Sequence, residues 1–401
     1  MKVLLLGEYS NVHNTLAKGL RALGHEVCVA SNGDFWKDYP RDIDLRREPG
    51  FIGTVSFMWR LLKALPKMRG YDVVQIINPM FFELKAERLF PIYRYLRKNN
   101  RKMILAAFGM DYYWVHVNDT VKPLRYSDFN FGDTLRHDEA AEQERKDWIG
   151  TEKQRLNEFI ARDCDKINAG LYEYWATYTA VEEIKDKVRF LPYPIEMDDA
   201  QDEMDDTTES ESMETASENR QESTSNVSSE GMEDKQRKLR IFVGISKARH
   251  KYKGTDVMLA AAEAVKARHP ERVEIITACG VPFNEYQRLM EGSDCILDQL
   301  YAYTPAMNAL LAMSKGIIVV GGGEEENYDI LHEDELRPII NVQPNFDSCY
   351  QELEQLILHP ERIPVLKKQS REYIRRHHDY IKVAEKFLKL TDNPGNPGNS
   401  G

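Results

Sequence analysis

Short, continuously apolar stretches alternate with amphipathic ones twice along this chain, and the two series are separated by a tract nearly devoid of large apolar residues. A continuously apolar strand must be covered on both faces, and strands joined by helices run parallel. Each series therefore predicts its own parallel sheet clothed in helices. In the first series KVLLLGEY (2–9), HEVCVAS (25–31), DVVQIINP (72–79), KMILAAFG (102–109), DKINAG (165–170) and VRFLPYPI (188–195) read as strands. Between the first two, Leu16, Ala17, Leu20 and Leu23 recur at helical spacing until Gly24 stops the helix. ERLFPIYRYLRKN reads as another helix, and a single long one is expected over 139–162. In the second series LRIFVGIS, VEIITACG, DCILDQL and GIIVVGGG are strands, TDVMLAAAEAVKARH is a helix, and the terminal YIKVAEKFLKL is expected to pack around this second sheet. The domain reading is a Rossmann-like unit over 1–195, an insert over 196–238, a second Rossmann-like unit over 239–375, a C-terminal helix over 376–392 and an unstructured tail over 393–401.

The net charge of −11 belongs to the insert. Between Glu196 and Asp234 there are fifteen acids against one base, Arg220, which leaves the remainder of the chain at +3. A Ser/Thr/Glu-rich stretch with so few large apolar side chains cannot bury enough surface to offset its ordering entropy, so it reads as a disordered solvated insertion. No run of about 18 apolar residues suggests a membrane span. Glu8 interrupts the only stretch resembling a signal-peptide core. Five scattered cysteines without a CxxC pair point to a reducing compartment and no zinc site, hence a cytoplasmic expectation.

Two such units could serve a dehydrogenase, a binding protein or a kinase. GEYSNVHN after the first strand is not G-x-G-x-x-G, however, and no P-loop occurs. Three stretches of the second half carry candidate chemistry. VGISKARHKYKG (243–254) follows a strand with Gly244 and the cations Lys247, Arg249 and Lys253; such a loop either opposes the charge of a leaving diphosphate or is simply solvated. In SDCILDQLYAYTPAMNALLAMSKGIIVV (293–320), Thr304 reads as an N-cap and Pro305 as the first helical residue. The N–H groups of Ala306, Met307 and Asn308 would then seat a pyrophosphate, unless this is only a well-capped core helix. In GGGEEENYDIL (321–331), Gly322 and Gly323 let backbone approach a ligand, while Glu324, Glu325 and Glu326 suit the first turn of a helix. Glu324 or Glu326 could also hold ribose hydroxyls.

Taken in order, these stretches resemble the retaining, family-four-like GT-B glycosyltransferases (glycosyl transferases group 1). The resemblance implies two Rossmann-like domains facing each other across a cleft. It also implies sugar transfer from a nucleotide diphosphate sugar to a glycan or lipid-linked acceptor, with no cofactor beyond that co-substrate and no tightly bound metal. Nucleic acid is not an expected partner. In the first half AAFGMDYYW (106–114) is similar to the family's H-G-x-D, with Phe108 in place of His and Asp111 kept, which implies that Asp111 orients acceptor or sugar. Asn11 and His13 lie in the other acceptor-side loop, where a lone His is more often incidental. The chain departs from the family at its E-x7-E pair, where Tyr303 and Leu311 stand. That departure keeps two other readings open: a non-catalytic sugar-nucleotide-binding scaffold and a GT-B-type sugar-nucleotide epimerase.

FIGTVSFMWRLLKALPKMRG (51–70) mixes Phe57, Trp59, Leu61 and Leu62 with Arg60, Lys63, Lys67 and Arg69. It reads as a helix packed on its own sheet with charges outside, and it also suits a peripheral seat on the inner face of an anionic membrane. The composition of the insert yields the first testable outcome. Replacing 198–238 by a short Gly/Ser linker should leave the melting temperature nearly unchanged, and a large loss would show that the segment packs.

Overall fold

The computed structural model describes residues 1–197, 238–245 and 253–391. The acidic tract, the loop bearing Lys247 and Arg249, and the tail over 393–401 lie outside the described residues. The first series forms a parallel sheet of seven strands among the described residues, in the order β3-β2-β1-β4-β5-β8-β9. These are β1 (Lys2–Leu6), β2 (Glu26–Ser31), β3 (Ile43–Asp44), β4 (Val73–Ile76), β5 (Lys102–Ala107), β8 (Lys166–Ala169) and β9 (Val188–Phe190). A small antiparallel hairpin, β6 (Asn130–Phe131) with β7 (Thr134–Leu135), projects from it. The second series forms a parallel sheet in the order β11-β10-β12-β13-β14. Its strands are β10 (Leu239–Ile245), β11 (Val273–Cys279), β12 (Cys295–Leu297), β13 (Ile318–Gly321) and β14 (Ile340–Asn341). In each sheet the order reverses beside the first strand, between β1 and β4 and between β10 and β12. Such switch points leave a crevice at the strands' carboxyl ends, where α/β folds take ligands.

Covering helices of the first sheet include α1 (Val12–Ala22), α2 (Gly50–Ala64), α3 (Ala86–Asn99), α4 (Tyr112–Thr120) and α7 (Tyr172–Thr179). The helix expected over 139–162 is two, α5 (Glu139–Trp148) and α6 (Glu152–Asp163). The break falls at Ile149, which is extended, and Gly150, whose φ of +73° a helix cannot accommodate. Helices α8 (Thr255–Arg268), α9 (Phe283–Met290), α10 (Met307–Ser314), α11 (Glu325–Leu331), α12 (Phe346–Leu358) and α13 (Arg362–His377) accompany the second sheet.

The terminal helix α14 (Tyr380–Thr391) differs from expectation. It packs on the first sheet, with Val383, Ala384 and Phe387 buried among Val3, Leu5, Leu16 and Leu20. The reason lies in the chain's return path. Ile195, leaving the first unit, pairs in parallel with Asp379. Its N–H donates to His378 O at 2.6 Å and its carbonyl accepts from Tyr380 N at 3.1 Å. The Asp379 carboxylate then receives the N–H groups of Ile381 and Lys382, starting the helix on the far side of the crossing. The helix lies so close to α1 that a Cβ on Gly19 would collide with the Tyr380 carbonyl oxygen.

That contact reverses the usual sign of a Gly→Ala change in a helix, which by itself favours Ala by about 1 kcal/mol. Gly19→Ala should instead destabilise the protein by about 1–3 kcal/mol in urea denaturation, because backbone must shift to admit the methyl. A more stable variant would mean that the two helices are not seated this way.

Candidate functional site

The two sheets turn their carboxyl ends toward each other, and the segments between them are held by a reciprocal pair of carboxylates. Glu173, in the first turn of α7 and 5% exposed, reaches into the second unit. It accepts Tyr303 N at 2.6 Å, Thr304 N at 3.0 Å and the Thr304 hydroxyl at 2.5 Å. Burial raises its pKa, and those three donors oppose the rise. Glu324, at the start of α11, points the other way. It accepts the Tyr126 hydroxyl at 2.7 Å, Gln343 Nε2 at 2.9 Å and Arg125 Nη2 at 2.7 Å. Arg125 also pairs with Glu326. Between the two carboxylates lies the ring of Tyr303, 4.6 Å from the Tyr126 ring and 5.0 Å beneath the Arg125 guanidinium, its hydroxyl receiving Arg125 N at 2.7 Å.

This arrangement corrects several expectations. Thr304 does not cap α10: Glu173 takes both its N–H and its hydroxyl, so the helix starts later, at Met307, with Ala306 as its flanking residue. Glu324 and Glu326 do not face an open ribose position, since their oxygens are paired with Arg125 and Tyr126. The space beside Gly322 is filled by the carbonyl of Ala302 and that beside Gly323 by the Ile339 side chain, so these glycines serve packing of the strand end. Where the E-x7-E pair would stand, Tyr303 is 1% exposed and Leu311 packs partly buried against the core.

Other predicted residues do come together, at the switch point between β10 and β12. Gly244 near the end of β10 has no room for a Cβ, because the Tyr286 hydroxyl occupies that place. That hydroxyl bonds to Asn308, in the first turn of α10, and Asn308 bonds in turn to Asp298, immediately after β12. Asp298 is 7% exposed. Burial raises its pKa, while the charge of Lys253 and hydrogen bonds with Asn308 and Gln299 oppose the shift. Lys253 is fixed through its own backbone, whose carbonyl accepts Leu300 N at 2.9 Å just before Gly254 opens α8. Tyr286 and Asp298 were not singled out from the sequence. Asp298 was findable, being a carboxylate directly after an apolar strand.

In the first unit the expected residues are further from the cleft than the sequence suggests. Asp111 is fully buried and caps α4, with Oδ1 accepting Trp114 N at 2.9 Å and Oδ2 accepting the Tyr178 hydroxyl at 2.7 Å. Its pKa is pushed up to about 6 by burial, against those bonds. His13 lies inside α1, not in the loop. Its Nδ1–H donates to Gly7 O at 2.8 Å, and Nε2 accepts Gln75 Nε2 at 3.1 Å, a chain that continues from Asn168 to Gln75 Oε1 at 2.8 Å. Burial lowers its pKa to about 4, so the ring is neutral and structural. Asn11 precedes α1 with φ +72° and accepts Asn14 Nδ2 at 2.8 Å. Beside these loops a cavity of about 890 Å³ opens at the carboxyl ends of β1, β2 and β4. Glu8, Tyr9, Asn32, Arg47, Trp148 and Lys153 are among its lining residues. No group of three or more His, Cys, Asp or Glu among the described residues is placed to hold a metal ion.

No protein-family model matches this chain, and no curated protein matches it. Solved structures do. HepE of Anabaena in complex with UDP-glucose superposes with a TM-score of 0.56 at 10% identity, over 97% of this chain and 98% of that one. Sucrose-phosphate synthase from Thermosynechococcus elongatus gives 0.56 at 11% identity, over 97% and 98%. The UDP-GlcNAc 2-epimerase from Neisseria meningitidis bound to UDP-GlcNAc gives 0.50 at 13% identity, over 97% and 99%. The fold is GT-B. At such identities the likeness extends to the fold alone, and that fold serves both a synthase and an epimerase among these neighbours.

The Glu324 clamp has a defined pH signature. Burial raises the Glu324 pKa, but bonds from Tyr126, Asn341 and Gln343 and the charge of Arg125 outweigh it, and the net direction is down. A lowered carboxylate pKa contributes stability that is present above the ordinary value of 4.5 and is lost as pH falls through the folded-state value. A double-mutant cycle of Tyr126→Phe with Glu324→Gln should therefore show a coupling of about 1–2 kcal/mol at neutral pH that fades in acid. Zero coupling at neutral pH would mean that the hydroxyl is satisfied elsewhere.

Proposed function

We propose that this protein is a glycosyltransferase that moves a sugar from a nucleotide diphosphate sugar to a glycan or lipid-linked acceptor, with retention at the anomeric carbon. The observation that carries the reading is the cluster at the switch point of the second sheet. There Lys253, Asp298, Asn308 and Tyr286 gather around a glycine-tipped strand, beside the start of α10. A diphosphate suits such a place because a helix N-terminus and a cation both favour its charge. Lys247 and Arg249 belong to the same loop and would add to that charge. In the transfer, the bond from the sugar's C1 to the diphosphate oxygen breaks and the diphosphate leaves with the electron pair. The acceptor hydroxyl oxygen forms the new bond to C1 on the face the diphosphate leaves and gives its proton to the departing diphosphate oxygen. The first-unit cavity of about 890 Å³ is the acceptor's place in this reading. Because HepE and the Neisseria epimerase were each solved with a uridine diphosphate sugar, that class of donor is the first to test.

The scaffold reading draws on one specific observation. Tyr303 and Leu311 occupy the E-x7-E positions as packed side chains. Calorimetry and a transfer assay separate the two. The wild-type protein should bind a uridine diphosphate sugar, and Arg249→Ala and Lys253→Ala should each weaken binding by about 1.5–3 kcal/mol, the scale of a hydrogen bond to a charged group. Binding that survives the double substitution unchanged would move the site elsewhere. Binding without transfer or slow hydrolysis of any common nucleotide sugar would favour the scaffold, and epimer formation without acceptor would favour the isomerase.

A further inference from the structure

Helix α2 has two apolar faces, and only one of them is used. Gly53, Phe57, Leu61 and Ala64 are buried against the first sheet. Phe51 and Ile52 are each 83% exposed, Leu62 62%, Trp59 57% and Val55 52%. With successive residues about 100° apart around a helix, those five side chains share a single sector about 100° wide, opposite the buried one. A surface helix normally shows charge on its outer side, and a helix apolar all round is normally buried or in lipid. Contiguous exposed apolar patches of this kind mark interaction surfaces.

The charge around the patch selects its partner. Arg47, Lys63, Lys67 and Arg69 are exposed at the two ends of the helix, and Glu48 is the one acid between residues 46 and 69. The Lys63 ammonium rests 3.3 Å over the Trp59 ring, placing a cation on the apolar face itself. An aromatic and aliphatic stripe edged by cations fits the boundary between acyl chains and anionic headgroups. Arg47 ties this helix to the cavity described above: it lines the cavity wall and donates to Thr54 Oγ1, near the start of the helix, at 2.9 Å.

We propose that the outer face of α2 seats the protein on an anionic lipid bilayer, with the cavity opening beside the headgroups. This does not rest on the transferase reading, since binding to lipid is read without any donor or acceptor. No helix among the described residues is long and apolar enough to cross a membrane, so the contact would be peripheral.

The test is sedimentation of the full chain with phosphatidylcholine vesicles, with and without about 30% phosphatidylglycerol. The wild type should sediment with the anionic vesicles and be released by salt. The combined Phe51→Ser, Trp59→Ser and Leu62→Ser variant should bind roughly tenfold more weakly or less, with an unchanged melting temperature because these side chains are exposed. Lys63→Glu with Lys67→Glu, which leaves the apolar stripe intact, should weaken binding to the anionic vesicles in the same direction. Three results would overturn the proposal: wild-type protein that stays in the supernatant with both vesicles, a serine variant that binds as the wild type does, or equal binding to neutral and anionic vesicles. A wild-type dimer that the serine substitutions split, without vesicle binding, would assign the face to a second copy of the chain.

Discussion

The carboxylate of Glu173 sits where the two halves of the molecule meet, and much of the interface is arranged around satisfying it. A buried charge without partners costs several kcal/mol, so a conformation that shuts Glu173 away from water must deliver donors to it. The second unit does this with two consecutive N–H groups and the hydroxyl of Thr304. The geometry fixes the bend at Tyr303 and Thr304 before α10 and positions the Tyr303 ring under Arg125. Glu324 repeats the logic in the opposite direction, drawing its donors from Tyr126 and Arg125 of the first unit. Because each unit supplies the other's donors, the closed arrangement is specified by direction and register, which a purely apolar contact would not do.

The covalent route of the chain supports the same arrangement from the other side. The segment leaving the first unit at Ile195 and the one returning at Asp379 lie side by side, and α14 then anchors to α1. The chain leaving the first unit and the chain returning to it are thus joined by a single parallel bridge. At that crossing two backbone hydrogen bonds join Ile195 to His378 and Tyr380.

The strands were legible because a parallel sheet buried on both faces leaves an unbroken apolar signature, as in β1, β5 and β13. What escaped was decided by partners far away in sequence. Nothing near Thr304 announces that Glu173 will take its hydroxyl, and nothing in YIKVAEKFLKL says which sheet its apolar stripe will meet. Asp111 stands after β5 as expected, yet it caps α4 through Trp114 N while Tyr178, brought in by α7, takes its other oxygen. His13 is the second residue of a helix that begins earlier than its apolar periodicity suggests, beside the buried polar residues Gln75 and Asn168. At the second switch point the local pattern did carry information, since Gly244, Lys253 and Asn308 were each placed by motif and the fold assembles them with Asp298.

That contrast bears on the proposed chemistry. In transfer from a nucleotide diphosphate, the largest demand on the protein is to stabilise charge as it develops on the leaving diphosphate. Groups suited to that demand, Lys253 and the start of α10 with Asn308, meet at the switch point. Of the two positions that depart from the family pattern, Leu311 stands where the resemblance implies a ribose contact, and such a contact binds ground state and transition state alike. Replacing such contacts raises the donor concentration needed and leaves the chemical step in place. Tyr303 instead joins the two units, since its hydroxyl accepts Arg125 N and its ring lies against that of Tyr126. On the proposed function, then, Tyr303 and Thr304, held by Glu173 and Arg125 of the first unit, tie the position of α10, and with it the diphosphate seat, to the contact between the two units.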